Sequence, residues 1–235
     1  MPELTAESDP VAFYGFTAVP RDPDILFKDH PTASGPNPKQ DLFTVADFPA
    51  PDSAVIQASM LSSRKSSTRK HTYNHSRRVY VYGLAIARTH FPEWRFDPGT
   101  YYLSCLLHDI GTADRLLSTT KMSFEFKGAI VARELIREHE GAEDQADSVC
   151  EAILATILDN VGKRADLVHK DLIESTVKAF PRNGWSGCFA GTIHKELNLK
   201  PWCHTTTFES PSWQPGGSSN FANDVLGNTA MQPYD

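Results

Sequence analysis

The chain has no stretch of about 18 or more consecutive apolar residues, so no membrane-spanning helix is expected. Its start, MPELTAESDP, has neither a basic opening nor an apolar run. No secretory signal is expected, and a cytoplasmic setting follows as an expectation. Cysteine is scarce: Cys105, Cys150, Cys188 and Cys203 form no C-x-x-C pair. Three of them sit in helix-like apolar segments, as reduced thiols do in intracellular proteins. The string NHS at 74–76 fits a glycosylation acceptor, but that reading lapses without a signal peptide. An excess of positive charge is also missing. With 23 basic against 29 acidic residues the net charge is −6, which argues against nucleic acid or an anionic membrane as the main partner. Sustained period-2 alternation with hairpin turns is absent, so an all-α class is expected.

The 235 residues suffice for one substantial domain with tails. Residues 1–60 read as an irregular segment, rich in proline from Pro2 to Pro49, and 61–207 as the helical domain. Residues 208–235 read as an extended or loose C-terminal tail. LSSRKSSTRK, 61–70, reads as a solvated linker or helix start rather than a phosphate-binding patch. Between them, helical stripes recur: His75, Val79, Tyr82 and Ile86; Phe124, Gly128, Val131 and Leu135; Ala146, Val149, Ile153 and Ile157; His169, Ile173, Val177 and Phe180. Asp97 and Pro98 mark a helix start, and Gly111 is a natural residue just past that helix's end.

Metal-binding chemistry concentrates in CLLHDIGT, residues 105–112. His108 and Asp109 are adjacent, and neighbouring helical side chains diverge by about 100°. At a helix end a tightened turn swings both toward one point. His75 lies on an apolar stripe, unusual for an unpaired imidazole, and Asp159 ends a strongly apolar helix. Each has a bland reading alone: a satisfied core histidine, or an aspartate bonded to the next loop. The order His, His-Asp, Asp across three helices is more specific.

NHS (74–76), LLHDIGT (106–112) and LDNVG (158–162) resemble the HD-domain metal enzymes. More narrowly, TYNHSRRVYVYG, YYLSCLLHDIGT, TKMSFEFKGAI, AFPRNGW and KPWCHTT are similar to the fungal cyanamide hydratase family, over about residues 71–207. The resemblance implies an HD-domain helical bundle holding zinc through His75, His108, Asp109 and Asp159. Two imidazoles and two carboxylates also suit iron or manganese. It implies a hydro-lyase that adds water to cyanamide, a small neutral nitrile, to give urea by metal-activated water. Asp109 is then the proton shuttle, and Thr112, Thr156 and Asn160 orient substrate or merely cap helices. Lys121 and Glu125 form an i,i+4 pair or one wall of the pocket. The chain departs from the family in one respect. The family's Arg-His-x-Asp segment is missing, and Glu151-Ala152-Ile153 runs straight into Leu154-Ala155-Thr156. An HD-type phosphohydrolase and an inactive metal-binding paralogue are the rival readings; a homo-oligomer is left open.

Overall fold

A computed structural model describes residues 5–19, 23–26, 28, 42–66, 70–155 and 167–235. Their regular structure is helical: α1 (Pro10–Tyr14), α2 (Pro23–Leu26), α3 (Ala54–Ser66), α4 (Lys70–His90), α5 (Pro98–Leu107), α6 (Asp114–Leu117), α7 (Phe124–Glu138), α8 (Glu143–Ala155), α9 (Lys170–Ala179), α10 (Trp185–Leu199) and α11 (Asn220–Leu226). Among the described residues the extended pairing is a single bridge, Phe16 to Phe96. The all-α expectation holds. No helix among them is long and apolar enough to cross a membrane.

The packing forms two apolar clusters. The larger joins α3, α4, α5, α7 and α8 through Val81, Leu103, Leu107, Ala129, Ile136, Ala146, Val149 and Ile153. The smaller joins Leu117 and Phe124 to Trp185, Phe189, Ile193 and Leu197 of α10 and to Ala222 and Val225 of α11. Helix α7 serves both, with Phe124 in the smaller cluster and Ala129, Ala132 and Ile136 in the larger.

Helix α4 is the central element. Its buried positions run through 73–76, 78, 80, 81, 84, 85, 87 and 90, wider than the single stripe read from the sequence. His75 is on that face, whereas Val79, Tyr82 and Ile86 lie at its border. Neighbours on several sides bury more than one stripe. The stripe of α9 is shifted likewise: Leu172 and Thr176 are buried, and His169 is the N-cap, accepting from Asp171 N at 3.2 Å. The start of α5 follows expectation, for Asp97 Oδ2 accepts from Thr100 N at 2.7 Å and Pro98 opens the helix.

Two junctions aim the later helices. The chain turns from α9 to α10 through Asn183 (φ 52) and Gly184 (φ 73), both left-handed. Helix α4 fastens that corner: Asn74 Nδ2 donates to Pro181 O at 2.8 Å and Arg78 Nη1 to Phe180 O at 2.8 Å. Burial foremost, with Arg182 nearby, pulls the Arg78 guanidinium down to about 10. Residues 209–235, expected to be extended or loose, contain α11 instead. Glu209 receives Ser219 Oγ and Asn220 N, both at 2.6 Å, and the Ser219 hydroxyl caps α11 by accepting from Ala222 N. These short polar residues bond the backbone locally and fix the helix start.

Candidate metal centre

Helix α5 stops at Leu107. His108 occupies its cap with near-helical angles, φ −56 and ψ −34. Asp109 then swings to φ −98, ψ 8, between the helical and extended regions, and opens a 3₁₀ turn over Ile110–Thr112. This break in helical geometry brings the adjacent pair to one point. His108 Nε2 lies 3.3 Å from Asp109 Oδ2. Across the gap, His75 Nε2 of α4 lies 3.1 Å from His108 Nε2 and 3.6 Å from Asp109 Oδ2.

Gly111 has a different role from the one its position suggested. It carries no left-handed φ. A Cβ there would lie 1.9 Å from Phe124 O and 2.9 Å from Gly128 N, so the turn lies directly against the first turn of α7. The glycine is required by this close backbone approach.

Each ring has a fixed surrounding. His108 Nδ1 lies 2.8 Å from Cys105 O. A carbonyl only accepts, so Nδ1 carries the hydrogen, and in the neutral ring the Nε2 lone pair faces Asp109 and His75. A metal-ligating histidine is held in this same way. His75 is stacked on Trp185 at 3.9 Å between ring centroids and 13° between planes. Burial first, then the charges of His108, Arg78 and Arg182, hold the His75 imidazole well below its ordinary value, and so neutral. Burial alone would lower His108 too, but the Asp109 carboxylate beside it outweighs this and raises it.

These groups fit a divalent cation. His75, His108 and Asp109 each offer one atom, all within 4.8 Å of one another. Asp109 is 3% exposed, and its Oδ2 receives no hydrogen bond. A buried carboxylate oxygen without a donor is costly, and two Nε2 atoms at 3.1 Å must share a proton or a cation.

A small cavity of about 10 Å³, the room of one water-sized group, opens beside Asp109. Ser63, Thr72, Leu106, Ile110, Thr112 and Ala113 complete its lining. Thr112 therefore reaches the cavity, although its hydroxyl donates to Asp109 O at 2.7 Å. Ser63, inside the polar string read as a solvated linker or helix start, belongs to the last turns of α3, and Thr72, just past that string, to the first turn of α4. Nothing in the local sequence marks these two hydroxyls as facing the cavity.

The Lys121–Glu125 pair does not form. Lys121 is exposed, its Nζ 5.8 Å from the centre of the Trp202 ring. Glu125, 1% exposed, pairs instead with His204 Nδ1 at 2.9 Å and approaches Thr205 Oγ1 at 3.4 Å. That hydroxyl donates to Glu196 at 2.7 Å, and Glu196 pairs with buried Lys200 at 2.7 Å. Local spacing favoured an i,i+4 partner, but a sequence-distant segment supplies a better one. Asp159, Thr156 and Asn160 lie outside the described residues. The join at Ile153–Leu154 falls within α8.

Residues 72–181 match the HD domain family. Two cyanamide hydratases of Saccharomyces cerevisiae, DDI2 and DDI3, are each 36% identical to the chain over 237 residues, covering 92% of this chain and 97% of each relative. The matched span contains His75, His108 and Asp109 of the site just described. The chain belongs to the HD-domain proteins and, within them, to the cyanamide hydratase family.

Proposed function

We propose that the protein is a zinc-dependent hydro-lyase that adds water to cyanamide, giving urea. One observation carries this reading: a buried carboxylate oxygen with no donor, flanked by two imidazole Nε2 atoms, in a chain similar to cyanamide hydratases. His75, His108 and Asp109 would hold the metal, with Asp159 as a fourth ligand. Two neutral imidazoles and two carboxylates leave a divalent ion balanced, so burial carries no net charge. When bound, the ion lowers the pKa of water toward neutrality.

The chain's own groups do the rest. Hydration forms a C–O bond at the nitrile carbon as one C–N π bond opens and a water proton goes to the nitrile nitrogen; a second proton shift from oxygen to that nitrogen turns the resulting isourea into urea. Asp109, which lines the cavity, would carry that first proton. Thr112, Thr156 and Asn160 would orient the substrate, with Lys121 outside the immediate cavity wall. The cavity is lined by the Asp109 carboxylate, hydroxyls and apolar groups and, among the described residues, by no lysine or arginine. That suits a small neutral nitrile better than a phosphate, which calls for cationic donors. Iron or manganese would fit the same donors.

The test combines elemental analysis of the purified chain with two assays, urea release from cyanamide and phosphate release from nucleotides. Stoichiometric zinc with urea release is the expected result. Phosphate release alone would favour the phosphohydrolase. Stoichiometric metal with neither activity would mark a binding paralogue in which loss of the Arg-His-x-Asp segment has ended the chemistry.

A further inference from the structure

We propose that Trp185 is a positioning residue of the metal centre: its indole, stacked on His75, sets the plane of that imidazole so that Nε2 points at Asp109 and His108. This rests on the metal-site reading above. The second side-chain torsion of histidine is broad, so rotamer preference does not fix where a ring nitrogen points. For His108 the hydrogen bond from Nδ1 to Cys105 O supplies the constraint. For His75 the described contact that defines the ring plane is the near-parallel face of Trp185, 13° away at 3.9 Å.

The indole can impose a plane because its own place is set elsewhere. It is 2% exposed and belongs to the smaller core, with Phe124, Ile193 and Leu197. Its ring is near-parallel to Phe189 one turn along α10, 5.1 Å between centroids and 16° between planes. The left-handed pair Asn183 and Gly184 makes Trp185 the first residue of α10. The Arg182 guanidinium, 5.7 Å from the indole, is itself tied to Ser186 Oγ at 2.6 Å and Asp235 Oδ1 at 2.9 Å. The smaller core thus places a rigid aromatic plate against one ligand of a site built mainly by the larger core.

The experiment uses the full chain and the variants Trp185→Leu and Trp185→Phe. Zinc affinity is read by competition with a chromophoric chelator, coordination by the absorption spectrum of the Co²⁺-loaded protein, and folding by circular dichroism. Trp185→Leu is expected to keep its helical signal, bind zinc about 10- to 100-fold more weakly, as loss of a supporting group does, and alter the Co²⁺ spectrum. Trp185→Phe, which restores a flat ring, is expected to bind within a few-fold of the parent. Equal affinity and an unchanged spectrum in Trp185→Leu would overturn the proposal. A second reading needs no Trp185 variant. In the parent, the His75 ring protons, assigned with His75→Gln, are expected to be shifted upfield by the indole ring current, with and without zinc. Absence of that shift in the zinc-loaded protein would equally overturn it. A parent that binds neither Zn²⁺ nor Co²⁺ would sink the metal-site reading itself, a different result from a parent that binds and a leucine variant that binds as well.

Discussion

Asp109 has a carboxylate oxygen buried beside two imidazoles, with no donor aimed at it. In a metal-free chain this costs stability, because the attraction of His108 at 3.3 Å repays the desolvation only in part. Asp109→Asn removes the charge while keeping the shape. The metal-free variant is expected to be at least as stable as the parent, by about 1 kcal/mol in its favour. Zinc, which raises the melting temperature of a protein it binds only when folded, is expected to raise that of the parent and not of the variant. Chemical denaturation of the metal-free proteins checks the first, and thermal unfolding with and without zinc the second. A variant that is less stable without metal, yet still stabilised by it, would contradict the assignment. The cavity hydroxyls make a second case at this scale. Ser63→Ala and Thr72→Val are each expected to leave zinc content intact and lower kcat/KM for cyanamide about fivefold, the equivalent of one neutral hydrogen bond of ~1 kcal/mol. Steady-state kinetics paired with metal analysis separates this from damage to the ligands.

Between elements, the site depends on how closely the 3₁₀ turn after α5 lies against α7. A Cβ on Gly111 would meet the backbone oxygen of Phe124 at 1.9 Å, and backbone cannot swing aside as a side chain can. Gly111→Ala is expected to cost about 3 kcal/mol and to weaken zinc binding, since Asp109 opens the same turn. Gly128→Ala, whose Cβ would meet Gly111 N at a milder 3.2 Å, is expected to cost less than half as much. Urea denaturation of the pair tests that order. The contrast also shows what a sequence can disclose. That a glycine was needed after His108–Asp109 was legible, because a helix had to end there. Its cause, backbone contact with a segment thirteen or more residues later, has no local signature. The convergence of His75 with the His108–Asp109 pair was legible because polar side chains stand out in apolar runs. Trp185 was not, since a tryptophan in an apolar segment reads as core, and it is core while also facing His75. Glu125 was assigned a neighbour in sequence because periodicity shows only neighbours, while its partner His204 lies 79 residues later, beyond α8, α9 and α10. The order in residues 209–235 was hidden for a related reason: Glu209 and Ser219 look like loop residues until each is seen to hold the other.

At the scale of the whole molecule, the two apolar clusters meet at the candidate metal centre, where Trp185 of the smaller stacks on His75, and the C-terminal stretch ties the smaller one down. Asp235 is the outer fastening, accepting from Arg182 Nε at 2.9 Å. Burial would raise the Asp235 carboxyl, but hydrogen bonds from Arg182 and Ser186 outweigh it and hold the group below its ordinary 3.8. In the unfolded chain those donors are absent, so the folded state binds this proton less tightly. The contribution to stability is therefore complete above the ordinary carboxylate range and lost as pH falls through 3.8 and lower. Asp235→Asn keeps the shape and removes the titration. The stability difference between parent and variant, measured on metal-free protein across pH, is expected to be largest near neutrality and to shrink toward zero in acid. Raising salt is expected to reduce it, since the carboxylate is 26% exposed and solvent screens the pair in part. A difference that stays constant down to strong acid would mean that Arg182 is held by its other partner, Ser186, and that the C-terminal carboxylate side chain contributes only packing. A difference that vanishes in acid, together with a matching loss of zinc affinity in Asp235→Asn at neutral pH, would connect the end of the fold to the ligand plane through Arg182 and Trp185.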